Sequence, residues 1–153
     1  MVFSISSSAF KDGGGIPSKY TCEGKNISLP LEWSEPPVGT KSLALIFDDP
    51  VAISGVFTHW IVFNLPADTR RLSEGMPRGD RLQNDALQGT TSYGKAGYGG
   101  PCPPPGPVHH YRFILYALDK MLELGAGASK KQVLDALKGH VLAQTQLTGL
   151  YQR

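Results

Sequence analysis

The chain has 153 residues, 41% apolar and 18% charged, enough to bury a sizeable core within one domain. Fifteen Lys and Arg against thirteen Asp and Glu leave a formal charge of +2 with no long basic block, so nucleic acid is excluded as an expected partner. The amino terminus MVFSISSSAF lacks a basic segment ahead of a long apolar run, and the apolar run Leu43 to Phe47 is far too short to span a bilayer. The expectation is therefore a cytoplasmic protein without integral membrane association.

Eighteen Gly and twelve Pro punctuate the chain every few residues, which favours short strands and turns over long helices. Phe3 to Ser6 reads as an opening strand, broken by Asp12-Gly13-Gly14-Gly15, and Leu31-Glu32-Trp33 as a short one ended by Pro36-Pro37. Ser42 to Asp48 is the first strongly specified strand. Its five consecutive apolar residues predict burial on both faces, hence a central place in a sheet, and it delivers Asp48 and Asp49 to its exit.

Phe57 to Leu65 is rich in β-branched and aromatic residues and predicts another strand. Strict alternation puts His59, Ile61 and Phe63 on one face and Trp60, Val62 and Asn64 on the other. Residues 66 to 100 then lose the period-two signal. This Gly-rich stretch is expected to be functional, mobile or to hold short elements, with Arg70, Arg71, Arg78 and Arg81 forming a solvated surface.

The segment GKAGYGGPCPPPGPVHHYRFILYAL, from Gly94 to Leu118, has the character of a site. Glycines allow close backbone approach, prolines at 101, 103, 104, 105 and 107 stiffen the loop, and a strand follows with paired histidines at its start. Alternation places His109 with Tyr111, Phe113, Leu115 and Ala117, the more uniformly apolar face, and His110 with Arg112 on the other. Near the C-terminus, Ser129-Lys130-Lys131-Gln132 matches a capping box. Val133, Leu134, Leu137 and Val141 follow on one helical face, Gly139 lies near the helix end, and Leu142 to Tyr151 reverts to extended chain.

The two cysteines, Cys22 and Cys102, form neither a disulfide framework nor a zinc cage. Reduced thiols are the expectation in an ordinary cytosol, and a long-range bridge the alternative in a hot or oxidising habitat. The Asn26-Ile27-Ser28 sequon, without an export signal, reads as a coincidence.

Four dispersed segments in order, IPSKYTCEGKNISLPLEW, DDPVAISGVFTHWIVFNLP, GYGGPCPPPGPVHHYRFILYALD and the closing GHVLAQTQLTGLYQR, resemble the phosphatidylethanolamine-binding protein family. The likeness is strongest to its bacterial and archaeal Raf-kinase-inhibitor-like branch. It implies a single domain over residues 1–153: an all-β, Greek-key-like antiparallel β-sandwich with a short C-terminal helix and a loop-rich middle segment. It also implies non-catalytic binding of a small anionic group, phosphate-like or phospholipid-headgroup-like, in a pocket at one end of the sandwich, with no cofactor. By motif match the pocket residues are Asp49, His59, Gly100, Pro104, His109 and Tyr111, and the resemblance places Cys22 in the early loop and Cys102 in the pocket loop, where a disulfide, if formed, would stiffen the pocket.

One departure stands out: where the family motif usually reads Asp-Pro-Asp-Ala-Pro, this chain has Val51 and Ile53 in place of the second Asp and second Pro. Two other functions compete with anion binding. One is a metal-dependent hydrolase built from His59, His109 and Asp49, although no HxH or HExxH pair supports it. The other is an inhibitor of a protease or kinase partner acting through the Pro-rich loop, with a homodimer also allowed.

Overall fold

A computed structural model of the chain describes residues 2–52, 55–82 and 84–153. Among the described residues, eight strands form two antiparallel sheets. β1 (Ile5–Ser6), β2 (Leu31–Trp33) and β5 (Arg71–Leu72) make a small sheet in the order β1-β2-β5. The larger sheet runs β6-β4-β3-β7-β8, with β3 (Ser42–Ala52), β4 (Gly55–Pro66), β6 (Leu87–Gln88), β7 (His109–Leu118) and β8 (Val141–Tyr151). The expected all-β sandwich is therefore present, and β3 is central as its unbroken apolar run predicted.

The main core lies between the sheets. Ile5, Leu31, Trp33 and Leu72 from the small sheet pack against Leu45, Phe47, Trp60, Val62 and Phe113 from the large one. A second cluster, Ala44, Ile46, Ile61, Phe63 and Leu118, covers the outer face of the large sheet and meets Val133 and Leu137 of the helix α1 (Lys130–Leu137). Burial on both faces explains why β3 and β7 carry apolar residues at successive positions rather than at every other one.

The helix starts as its sequence predicts. The Ser129 side chain accepts from the Gln132 amide and the Gln132 side chain accepts from the Ser129 amide, a complete capping box. Its end comes earlier than expected. Val141, assigned by periodicity to the helix, is the first residue of β8, because Gly139 with φ 83° turns the chain and the His140 amide donates to the Leu137 carbonyl.

The stretch from 66 to 100 holds β5 and β6, two-residue strands below the reach of period-two reading. Its arginines are not all simple surface. Arg78 donates from Nε to the Tyr98 carbonyl at 3.1 Å and from Nη2 to the Asn26 carbonyl, clamping two loops together.

Candidate anion pocket at one end of the sandwich

Antiparallel pairing decides whether the two histidines meet. β4 and β7 both run antiparallel to β3, which lies between them, so their N-terminal ends fall at the same edge as the C-terminal half of β3. Asp48 is opposite both Thr58 and Arg112, and Phe47 is opposite both Trp60 and Phe113. Asp49, His59 and His109 are thereby delivered to one end of the molecule.

His59 reaches the pocket by a route that alternation misses. Between the pairs Phe47↔Trp60 and Asp48↔Thr58, β4 carries one residue more than β3, and that residue is His59. The bulge puts His59 on the same face as Trp60, against the expectation that it shares a face with Ile61 and Phe63, which pack on the outer side. On the inner side its ring stands 5.4 Å from both Phe47 and Tyr111 and 4.8 Å from Phe57. A second irregularity, between Leu43↔Leu65 and Leu45↔Val62, moves Asn64 away from the Trp60 and Val62 face where alternation placed it. With φ 57°, Asn64 exchanges two hydrogen bonds with the Leu122 backbone beside the outer cluster.

Asp49, His59, Pro104, His109 and Tyr111 line a cavity of about 430 Å³, together with Ala52, Phe57, Tyr93, Cys102 and Pro103. Each imidazole is oriented by its Nδ1. That of His59 donates to the Gly99 carbonyl at 2.7 Å, and that of His109 donates to the Asp49 carboxylate at 2.6 Å. Nε2 of each ring is left for whatever enters the cavity. Asp49 is 2% exposed, and its second oxygen accepts from the Val51 amide at 3.1 Å.

Burial pushes the His59 pKa below the ordinary histidine value, against the opposing pull of the Gly99 hydrogen bond and the Asp49 charge. At neutral pH the ring is therefore uncharged. Burial, reinforced by the Asp49 charge, also raises the Tyr111 hydroxyl well beyond its usual range, so it stays a neutral donor.

Gly100 does not line the cavity; it lies behind its wall. A Cβ there would fall 2.2 Å from the Tyr20 carbonyl oxygen and 2.4 Å from Asn26 Oδ1, so only glycine lets these loops touch. The Gly100 amide donates to Asn26 Oδ1 at 2.8 Å, which gives the sequon asparagine a structural task. Cys22 and Cys102 are joined by a disulfide across 80 residues, contrary to the expectation of reduced thiols. The bond has a local reason: the Cys22 amide donates to Pro101 and the Tyr98 hydroxyl to Tyr20, so the two loops are already in register.

Several pocket residues escaped the sequence reading. Phe57 sits inside a resembling segment without being singled out there, and Tyr93, outside those segments, enters through a turn in which the Gly94 amide donates to Thr91. His110 is exposed, as its shared face with Arg112 implied. Of the two motif departures, Val51 is 69% exposed and absent from the lining, while Ile53 lies outside the described residues. Among the described residues, no three of His, Cys, Asp or Glu are grouped so as to hold a metal ion. Among them, too, no helix is long and apolar enough to cross a membrane.

Comparison with known proteins gives this architecture its family. The model of the phosphatidylethanolamine-binding protein family matches residues 6–152, and the chain belongs to that family. A UPF0098 protein of Methanothermobacter thermautotrophicus is 55% identical over 145 residues, covering 95% of each chain. Among solved structures, the phosphatidylethanolamine-binding-protein homologue CT736 of Chlamydia trachomatis is 40% identical with a TM-score of 0.90, covering 99% of this chain and 98% of its own. E. coli YbcL, described as a member of the mammalian family, is 34% identical with a TM-score of 0.92 and the same coverage.

Proposed function

We propose that the chain is a non-catalytic receptor for a small phosphate-like group, free or on a phospholipid headgroup, held between His59 and His109. The observation that carries this reading is the shared cavity into which two imidazoles project, each with Nδ1 committed and Nε2 left over. A carboxylate alone would repel an anion. Asp49, however, has both oxygens engaged, one by His109 Nδ1 and the other by the Val51 amide, so its charge is spent on orienting the ring whose Nε2 faces the ligand.

Nothing in the lining favours covalent chemistry. Cys102 is consumed in the disulfide, and burial raises both Tyr93 and Tyr111. The hydrolase reading asks Asp49 to serve a metal, yet its two oxygens already accept from His109 and the Val51 amide.

Titration with inorganic phosphate, followed by NMR at pH 5 and pH 7, tests the proposal. Because the His59 charge appears only below its ordinary titration range near 6.5, affinity should rise on acidification. Equal affinity at both values would remove the imidazoles from anion recognition.

A second reading is kept alive by one observation: Pro104, Pro105 and Pro107 are exposed at the pocket rim, next to Val108 at 43% exposure. A partner such as a protease or kinase would then contact the rim. Pull-down of candidate partners with and without phosphate separates the two uses, since competition ties partner binding to the pocket.

A further inference from the structure

A second cavity, of about 400 Å³, lies on the far side of the pocket wall and shares Tyr93 and Cys102 with it. Its charge is different. The first cavity contains a carboxylate and two imidazoles, whereas the only charged side chains lining the second are Arg78 and Lys95. Among the described residues, neither takes part in an ion pair.

Backbone carbonyls rather than a counter-charge hold the Arg78 guanidinium, and a closed turn fixes the main chain from which Lys95 projects. Nε and Nη2 of Arg78 are spent on the Tyr98 and Asn26 carbonyls, which fixes the guanidinium plane and leaves Nη1 unspent among the described residues. Lys95 rides on a closed turn: the Thr91 amide and hydroxyl both donate to the Lys95 carbonyl, at 3.0 and 3.1 Å. Tyr93 and the buried Tyr98 supply an aromatic wall beside the two charges.

We propose that this cleft is a second binding site, separate from the histidine pocket, for a small organic phosphate monoester. Two permanent cations match the double negative charge of a monoester, and a carboxylate would neutralise only one of them. The tyrosine wall takes the organic part by stacking or edge contact. The volume is within the range of small-molecule sites, and the opening to solvent makes binding salt-sensitive.

The cleft's chemistry is independent of the imidazole pair, and pH separates them. Among the described residues, the cleft is lined by no imidazole, while a monoester completes its second ionisation near about 6. Affinity at the cleft should therefore hold or rise with pH, opposite to the trend expected beside His59.

The test is titration of the whole protein with phenyl phosphate at pH 6 and pH 8, read from backbone amide shifts. Shifts in residues 91–99 that persist at pH 8, with binding weakened about tenfold in Lys95→Glu, support the site. Lys95 is exposed and its side chain makes no hydrogen bond among the described residues, so this variant leaves the fold intact. Arg78→Gln should weaken binding at least as much, and its unchanged circular dichroism would show that the loops it clamps have stayed in place. Shifts confined to the lining of the histidine pocket, no shifts at all, or wild-type affinity in Lys95→Glu would overturn the proposal.

Discussion

Asp48 and Asp49 are neighbours on one strand, both nearly fully buried, and the pleat sends them to opposite faces of the sheet. On the outer face Asp48 accepts from Arg112 Nε at 2.9 Å and Nη2 at 3.0 Å, and from Lys130 Nζ at 2.8 Å. Its partners are two cations, so this carboxylate anchors the first turn of α1 to the sheet. Asp49 on the inner face instead accepts from His109 Nδ1 at 2.6 Å, in the wall of the cavity. Two identical side chains thus differ in use because one ties the helix to the sheet and the other orients a ring that lines the cavity.

The sharpest way to break this contrast is Asp48→Asn. Removing the carboxylate leaves two cations without their counter-charge, and because Arg112 and Lys130 are 32% and 25% exposed the loss is softened by water. The expected cost is about 2–3 kcal/mol in urea unfolding, with phosphate affinity unchanged. A cost below about 0.5 kcal/mol would place Asp48 among the surface pairs that contribute little.

Asp49→Asn should do the reverse. An asparagine can still accept from His109 Nδ1, so stability should fall by only about 1 kcal/mol. The charge-assisted hydrogen bond that orients the ring is weakened, and anion affinity at pH 5 should drop about tenfold. Nitrogen-15 shifts of His109 report the change directly. An unaltered tautomer pattern and unaltered affinity would mean that Asp49 is as purely structural as Asp48.

How far this contrast was legible in the sequence depends on the backbone around each residue. The paired aspartates at the exit of a doubly buried strand were readable, because a run of five apolar residues specifies a central β3 and alternation then separates its two ends. His109 was equally readable, since β7 pairs with β3 without interruption from Asp48↔Arg112 to Ser42↔Leu118. His59 was not. Its side is set by one extra residue in β4, and nothing in Phe57-Thr58-His59-Trp60 marks where the extra residue falls.

The pocket wall was hidden for another reason. Tyr93 and Cys102 arrive through loops whose path is fixed by contacts across 78 to 80 residues, such as Tyr98 with Tyr20 and Cys102 with Cys22. Local pattern carries no information about such pairs. The family resemblance supplied what periodicity could not: it grouped Asp49, His59, Gly100, Pro104, His109 and Tyr111, all of which except Gly100 line one cavity.

The smallest effect concerns His59, the inner-face group without a carboxylate partner. Its folded-state pKa is lowered by burial, so below about pH 6.5 the unfolded chain takes up a proton that the folded one resists. The stability this group confers is complete above the unfolded value and is lost as pH falls towards the folded one. His59→Gln removes the titration while keeping a donor for the Gly99 carbonyl, and should flatten the thermal stability profile between pH 7 and pH 5 relative to the parent. Phosphate should act in the opposite sense on the parent protein, because an anion beside the ring favours the protonated form and offsets the acid loss. Parallel profiles for parent and variant, with and without phosphate, would show that the bulge at His59 serves packing among Phe47, Phe57 and Tyr111 and leaves anion recognition to His109 alone.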